Sequence, residues 1–244
     1  MKTEILYQDQ ALLIVRKPSG LAVQTAAIGK PDVVSELKNA LADRGRKGKD
    51  EPYLGIIHRL DQPVEGLLVF AKTKEAAAAL TSQLARGELK KRYYAVVCGQ
   101  PPNDQGELVD YLYKDKNQRA QILSPADSHF KEARRAVLHY RICQKIAFGD
   151  CRLSLAEISI ETGRFHQIRA QMAHAGMPLL GDVKYGNEES FQAAEKLGIG
   201  SAALCAFDIS LRHPVTKRPM HFQIRPGAKA FSFFEIETDP KGSL

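Results

Sequence analysis

An α+β fold is what this sequence predicts, and three observations predict it. Short strand-forming runs outnumber the helical segments, and the two kinds do not alternate regularly as βαβ units would. No G-x-G-x-x-G follows a strand-like run, and no G-x-x-x-x-G-K-[ST] is present, so a doubly wound sheet built to hold a nucleotide is unsupported. With 244 residues the chain can bury a sizeable core as one large domain or two small ones.

The elements follow in order. Ala11-Leu12-Leu13-Ile14-Val15 is an apolar run too short for a helix and rich in strand formers, and Pro18-Ser19-Gly20 ends it. Pro31 opens a helix with Val33, Leu37, Ala40 and Leu41 at helical spacing. Arg44 to Pro52 reads as an exposed loop with a local basic cluster. Leu54–Ile57 predicts a short strand and Gly66–Ala71 a buried one. Lys74–Arg86, rich in alanine, predicts a helix stopped by Gly87. Tyr93–Val97 predicts a strand, as do Glu107–Tyr113, Arg135–Ile142, Leu153–Ile160, Ala203–Leu211 and His221–Ile224. Arg164–His174 predicts a helix with Ile168, Met172 and Ala175 on its apolar face. Arg169 falls about 100° round from Ile168, at the edge of that face. There is no internal repeat, low-complexity tract or long linker.

Hydrophobic residues at 44% and charged residues at 26% are an ordinary balance for a soluble globular chain. Lys and Arg number 35 against 28 for Asp and Glu, and the net charge of +7 points weakly to a polyanionic partner such as nucleic acid. Cys98, Cys143, Cys151 and Cys205 form no C-x-x-C pair and no zinc spacing with histidine. They read as reduced thiols of a cytoplasmic protein with no metal site. Glu4, Gln8, Asp9 and Gln10 interrupt anything like a secretory leader, and no apolar run approaches the ~20 residues of a membrane span.

Three segments carry candidate chemistry. His58-Arg59-Leu60-Asp61-Gln62-Pro63-Val64-Glu65-Gly66 is a polar loop between two apolar strands, a frequent place for catalytic groups. Equally, it reads as a tight turn in which Asp61 caps amides and Arg59 pairs at the surface, and local features favour the turn. Glu161-Thr162-Gly163-Arg164-Phe165-His166-Gln167-Ile168-Arg169 has the form of a turn feeding a helix start, which binds phosphate or simply caps an amphipathic helix. Lys90-Lys91-Arg92-Tyr93-Tyr94-Ala95-Val96 places cations beside aromatics, suited to phosphate and base, or to an ordinary strand with a charged entry.

Together and in this order the segments resemble the RluA-type pseudouridine synthases. The resemblance rests on His58-Arg59-Leu60-Asp61 followed by Gly66-Leu67-Leu68-Val69-Phe70-Ala71-Lys72-Thr73, with Lys17-Pro18-Ser19-Gly20-Leu21 upstream. Lys91-Arg92-Tyr93-Tyr94-Ala95 and Thr162-Gly163-Arg164-Phe165-His166-Gln167-Ile168-Arg169 follow, then Gly176-Met177-Pro178-Leu179-Leu180-Gly181-Asp182, Lys184-Tyr185-Gly186 and Leu211-Arg212-His213-Pro214. Matches run from about Lys17 to Pro226. Two departures stand out: Val64-Glu65 replaces the Thr-Ser usual before Gly66, and Phe165 replaces a Thr.

The resemblance implies a mixed, largely antiparallel central sheet flanked by helices and loops, in one catalytic domain over residues 1–244 with no appended N-terminal RNA-binding domain. It implies isomerisation of uridine to pseudouridine in ribosomal or transfer RNA, by a monomer without a cofactor or metal. Asp61 would be the catalytic carboxylate, Tyr93 would stack on the target base, and Arg169 would pair with Asp61. Arg59 would fill the gap left by a flipped base, and Arg164, His166 and Lys184 would contact the RNA. His58 is expected to be structural. A catalytically inactive RNA-binding protein on the same fold is the alternative. A nuclease ranks below both because no metal-ligand cluster is present.

Overall fold

The computed structural model describes residues 1–27, 29–42, 52–148 and 151–237. The basic loop expected at Arg44 to Pro52 lies, apart from Pro52, outside the described residues. The fold is mixed α+β with a largely antiparallel arrangement of strands. Two compact units divide the chain: Met1–Lys91 with Cys205–Pro226 and Glu237–Leu244, and Arg92–Leu204 with Gly227–Ile236.

In the first unit, β1 (Glu4–Gln8), β2 (Leu12–Lys17), β4 (Glu65–Ala71) and β10 (Leu204–Arg212) lie side by side in that order. β3 (Gly55–Ile56) pairs with β4, and β11 (Pro219–Gln223) with β10. Every residue of β4 is buried, as expected of the unbroken run Leu67-Leu68-Val69-Phe70, where each large apolar side chain contributes about 1.5–3 kcal/mol. β2 covers one edge of β4 from Leu12↔Ala71 to Lys17↔Gly66. The other edge is shared: β10 runs parallel to it at Cys205↔Glu65 and Ala206↔Gly66, and β3 antiparallel at Gly55↔Ala71 and Ile56↔Phe70. The chain must travel from the far end of β4 back to its start, and residues 57–64 form the loop that does so.

Two helices flank this unit. α1 (Val33–Ala42) buries Val33, Val34 and Leu37, and the Asp32 carboxylate accepts from the Ser35 amide at 2.7 Å in its first turn. α2 (Lys74–Ala85) is capped by Thr73, whose hydroxyl accepts from the Ala76 amide at 3.1 Å. Its buried Gln83 side chain donates to the Arg212 carbonyl at 2.8 Å and accepts from the Arg212 amide at 2.9 Å, closing the end of β10.

The second unit orders its strands β5 (Lys90–Cys98), β9 (Cys151–Ile160), β8 (Arg134–Phe148), β6 (Gln105–Lys114) and β7 (Ala120–Ile122), all antiparallel. α3 (Gln167–His174) packs through Ala170 onto a small core of Leu112, Ala120 and Ala136, against which Tyr185 rests. α4 (Glu188–Leu197) opens on a reciprocal Asn187–Ser190 capping box and closes on Gly198 in the left-handed region.

The helix expected from Arg164 starts only at Gln167. His166 adopts φ +52°, which no α-helix tolerates, and the Gln167 Oε1 draws Arg164 into a turn by accepting from its amide at 3.0 Å. β1, β7 and α4 have no counterpart among the sequence expectations.

Candidate active site

In the first unit the loop after β3 carries Arg59, exposed, and Asp61, half-buried. The Val64 amide donates to the Asp61 carbonyl at 3.0 Å, which makes the Asp61–Val64 segment a tight turn. That turn is held from one side by the segment that ends β2. The Gly20 amide donates to the Gln62 carbonyl at 2.9 Å, the Gln62 side chain returns a bond to the Gly20 carbonyl at 3.0 Å, and the Ser19 hydroxyl donates to the Pro63 carbonyl at 2.7 Å.

Lys17 secures this arrangement. Its side chain is fully buried, and its ammonium donates to the carbonyls of Leu21 at 2.6 Å, Pro18 at 3.0 Å and Gln62 at 3.0 Å. Three carbonyl acceptors match the three protons of an ammonium. Burial pushes Lys17 down to about 8 against the opposing pull of the nearby Asp61 and Glu65 carboxylates. Asp61 therefore sits on a turn whose backbone is bonded to a buried cation that also senses its charge. Glu65, the residue departing from the usual Thr-Ser, is itself buried, with Arg16 Nη2 at 3.7 Å.

His58 and Gly66 bracket the loop. Among the described residues neither ring nitrogen of His58 has a hydrogen-bond partner. Burial first, and the charge of Lys91 second, push its imidazole well below the ordinary histidine range, so it packs as a neutral ring. Gly66 has φ +134°, and a Cβ there would lie 2.5 Å from the backbone nitrogen and oxygen of Ala206.

In the second unit Arg169 is buried and clasps Asp182: Nε donates to Oδ2 and Nη2 to Oδ1, both at 2.7 Å. Asp182 Oδ1 also accepts from the amides of Lys184 at 3.0 Å and Tyr185 at 3.3 Å. Burial raises the Asp182 carboxyl, but the bonds and charge of Arg169 with these two amides hold it below its ordinary value. The Arg169 guanidinium lies 5.2 Å from the centroid of the Tyr185 ring. The Tyr185 hydroxyl accepts from the Ala120 amide at 2.7 Å and bonds His166 Nδ1 at 2.8 Å.

Arg169, His166 and Lys184 are thus brought together around Asp182 and Tyr185. The Lys184 ammonium donates to the Gln118 carbonyl at 2.6 Å, and Arg164 Nε donates to the Arg135 carbonyl at 3.0 Å. Tyr93 is buried in β5 opposite Ile158. Lys17 and Asp182 were quoted only as parts of motifs. Asp182 follows Gly181 and Lys17 lies three residues before Gly20, which the sequence displays, but it does not display that both are buried. Among the described residues no cluster of His, Cys, Asp and Glu could hold a metal ion, and no helix is long and apolar enough to cross a membrane.

The model of the family described as RNA pseudouridylate synthase matches residues 11–174. A protein named ribosomal large subunit pseudouridine synthase D, from Zymomonas mobilis, is 36% identical over 227 residues, covering 90% of this chain and 68% of that protein. One named tRNA pseudouridine synthase C, from Pectobacterium carotovorum, is 32% identical over 230 residues, covering 91% of this chain and 58% of that one. The chain therefore spans between about half and two thirds of these relatives' length. The solved structure of human RNA pseudouridylate synthase domain containing 4 superposes with TM-score 0.71 at 21% identity, covering 94% of this chain and 92% of that one, which is a likeness of fold.

Proposed function

The chain belongs to the RNA pseudouridylate synthase family, and from that premise we propose that it isomerises uridine to pseudouridine in ribosomal or transfer RNA with Asp61 as its catalytic carboxylate. The observation that carries this reading is the Asp61 turn bonded to the buried Lys17 ammonium. The reaction breaks the bond from C1′ to N1, turns the base over and forms a bond from C1′ to C5. A proton leaves C5 and one is gained at N1, so atoms and electrons balance without a redox partner.

An ionised carboxylate can begin this in two ways. It can attack C1′ and hold the sugar covalently, as in a retaining glycosidase, or take a proton from the sugar to give a glycal. Either way Asp61 must be fixed against the sugar, and the turn bonded to Lys17 and Gly20 fixes its backbone. Tyr93 is assigned to stack on the base and assist at C5. Arg169, held by Asp182, is assigned as the positioning cation. Arg59, exposed at the loop surface, is assigned to occupy the space vacated by an extruded base, since its flat cation stacks and also reaches phosphate. Arg164, His166 and Lys184 are assigned to the RNA backbone. The reading extends to a cytoplasmic monomer that needs no cofactor.

The test is to incubate the protein with uridine-labelled total RNA and measure pseudouridine. Product from the wild type and none from Asp61→Asn, with RNA binding kept, is the expected result. Binding by the wild type without product would instead mark an inactive RNA-binding protein. Full activity in Asp61→Asn would remove Asp61 from the mechanism.

A further inference from the structure

The turn ahead of α3 presents an aromatic side chain that packing does not account for. Phe165 is 36% exposed, yet its ring lies on His166 with centroids 3.7 Å apart and planes at 21°. The Lys114 ammonium sits 4.6 Å from the centroid of the same ring. Beneath, His166 stands in the left-handed region at φ +52°, its Nδ1 bonded to the Tyr185 hydroxyl at 2.8 Å, and it meets the Tyr185 ring edge-on. A non-glycine residue kept there costs free energy that its surroundings must offset, and such residues gather at functional positions. Arg119 adds a second cation, 5.7 Å from the Tyr185 centroid. The Lys184 ammonium reaches the neighbouring loop at Gln118.

We propose that Phe165, backed by His166 and with the Lys114 ammonium over its ring, is a stacking shelf for an unpaired base of the RNA other than the uridine that is isomerised, with Arg119 at the neighbouring Tyr185 ring and Lys184 at Gln118 as further cations. The inference rests on the RNA reading above. An exposed ring already braced on its inner face offers a base a flat, rigid partner with little further ordering cost. Stacking of this kind tolerates any base, because every base has a π-face. The Lys114 ammonium now lies over the ring. Its four-carbon stem is flexible, so the ammonium swings aside as a base arrives and meets the phosphate of that nucleotide. The shelf then supplies stacking and charge at one nucleotide, and His166 transmits its position to Tyr185 and α3.

The probe is a fluorescein-labelled oligouridylate, with binding titrated across salt concentration for wild type, Phe165→Leu, Phe165→Tyr and Lys114→Met. Phe165→Leu is expected to weaken binding about tenfold with an unchanged salt slope, because a stack and not a phosphate contact is lost. Phe165→Tyr restores it. Lys114→Met lowers the salt slope by about 0.7, one phosphate contact on a single strand. In a companion titration, an oligonucleotide carrying one 2-aminopurine shows stacking as quenching with wild type and not with Phe165→Leu. Equal binding and equal quenching by wild type and Phe165→Leu would overturn the shelf. So would a Phe165→Leu defect confined to kcat at full RNA affinity. If wild type makes no pseudouridine in total RNA and does not bind the oligonucleotide, the functional reading itself fails. Thermal unfolding of Phe165→Leu is expected to match wild type, which separates the binding effect from misfolding.

Discussion

Arg169 and Asp182, thirteen residues apart, face each other as a buried fork, with two bonds of 2.7 Å and side chains exposed by only 5% and 0%. Removing one partner takes a two-bond ion pair from a charge that stays in the interior. Arg169→Met or Asp182→Asn is therefore expected to lower the unfolding free energy by about 3–5 kcal/mol. Denaturant titration checks this, and an Arg169→Met/Asp182→Leu double variant should recover part of the loss in stability but none of the activity. The sign of the pH dependence follows from Asp182 lying below its ordinary value when folded. Its contribution is complete above the unfolded carboxylate pKa and lost as pH falls through the lower folded value. Wild type should thus lose more stability than the double variant below about pH 4.

Lys17 carries the opposite signature. Its folded pKa is about 8 against an ordinary 10.5, so the unfolded chain holds the extra proton between those values. Stability from this group should rise as pH climbs from about 8 to about 10.5, with the full burial penalty present below. The difference in unfolding free energy between wild type and Lys17→Met, measured across that range, isolates it from Lys91, which shares the direction. Lys17→Met should also cut kcat by about tenfold or more at neutral pH through loss of the Asp61 turn. Full kcat in the variant would show that the turn holds without the ammonium.

Much of this was legible. The run Leu67-Leu68-Val69-Phe70 announced β4 because a strand buried on both faces has no polar interruptions. The alanines of α2 and the Gly87 that follows it announced a helix. β1 was hidden because it is half-exposed and reads Glu-Ile-Leu-Tyr-Gln, without a clean alternation. α4 was hidden because its buried stripe is only Ala193, Ala194 and Leu197 with Ser190. The start of α3 was misplaced because the capture of Arg164 by Gln167 is a side-chain event that periodicity does not register. The motif order brought the candidate residues forward, but which lysine lies buried and which acid clasps Arg169 depend on tertiary placement. A lysine is almost never buried unless something accepts its protons, and the acceptors of Lys17 are backbone carbonyls contributed by residues 18, 21 and 62.

Gly66 admits no side chain. With a Cβ 2.5 Å from the Ala206 backbone and φ at +134°, Gly66→Ala is expected to shift β4 from β10 and lower stability by about 3 kcal/mol or more. The melting temperature of purified Gly66→Ala checks it. A change of less than a degree or two would mean that the strands part there at little cost.

His213 ties the turn before β11 to the start of β2. Its Nδ1 accepts from the amides of Val215 at 3.2 Å and Thr216 at 3.0 Å, so Nε2 carries the proton given to Asp9 at 2.6 Å. His213→Phe keeps the ring and removes all three bonds, and should cost about 2–4 kcal/mol. Asp9→Asn keeps two of them and should cost less. Equal unfolding midpoints for the two variants would contradict this ranking.

Both units are assembled from pieces that are not contiguous in the chain. On the ribosome this sets an order of events. β4 is made with β2 already available for one edge but with the other edge of its Gly66 end lacking its neighbour, and β10 follows only after more than a hundred further residues. Translation at roughly 5–20 residues per second leaves that strand edge open for several seconds or longer. The second unit, except for Gly227–Ile236, is itself synthesised within that interval. The nascent chain is therefore at its most vulnerable to mispairing when the Asp61 loop has been synthesised but the strand that anchors its far end has not.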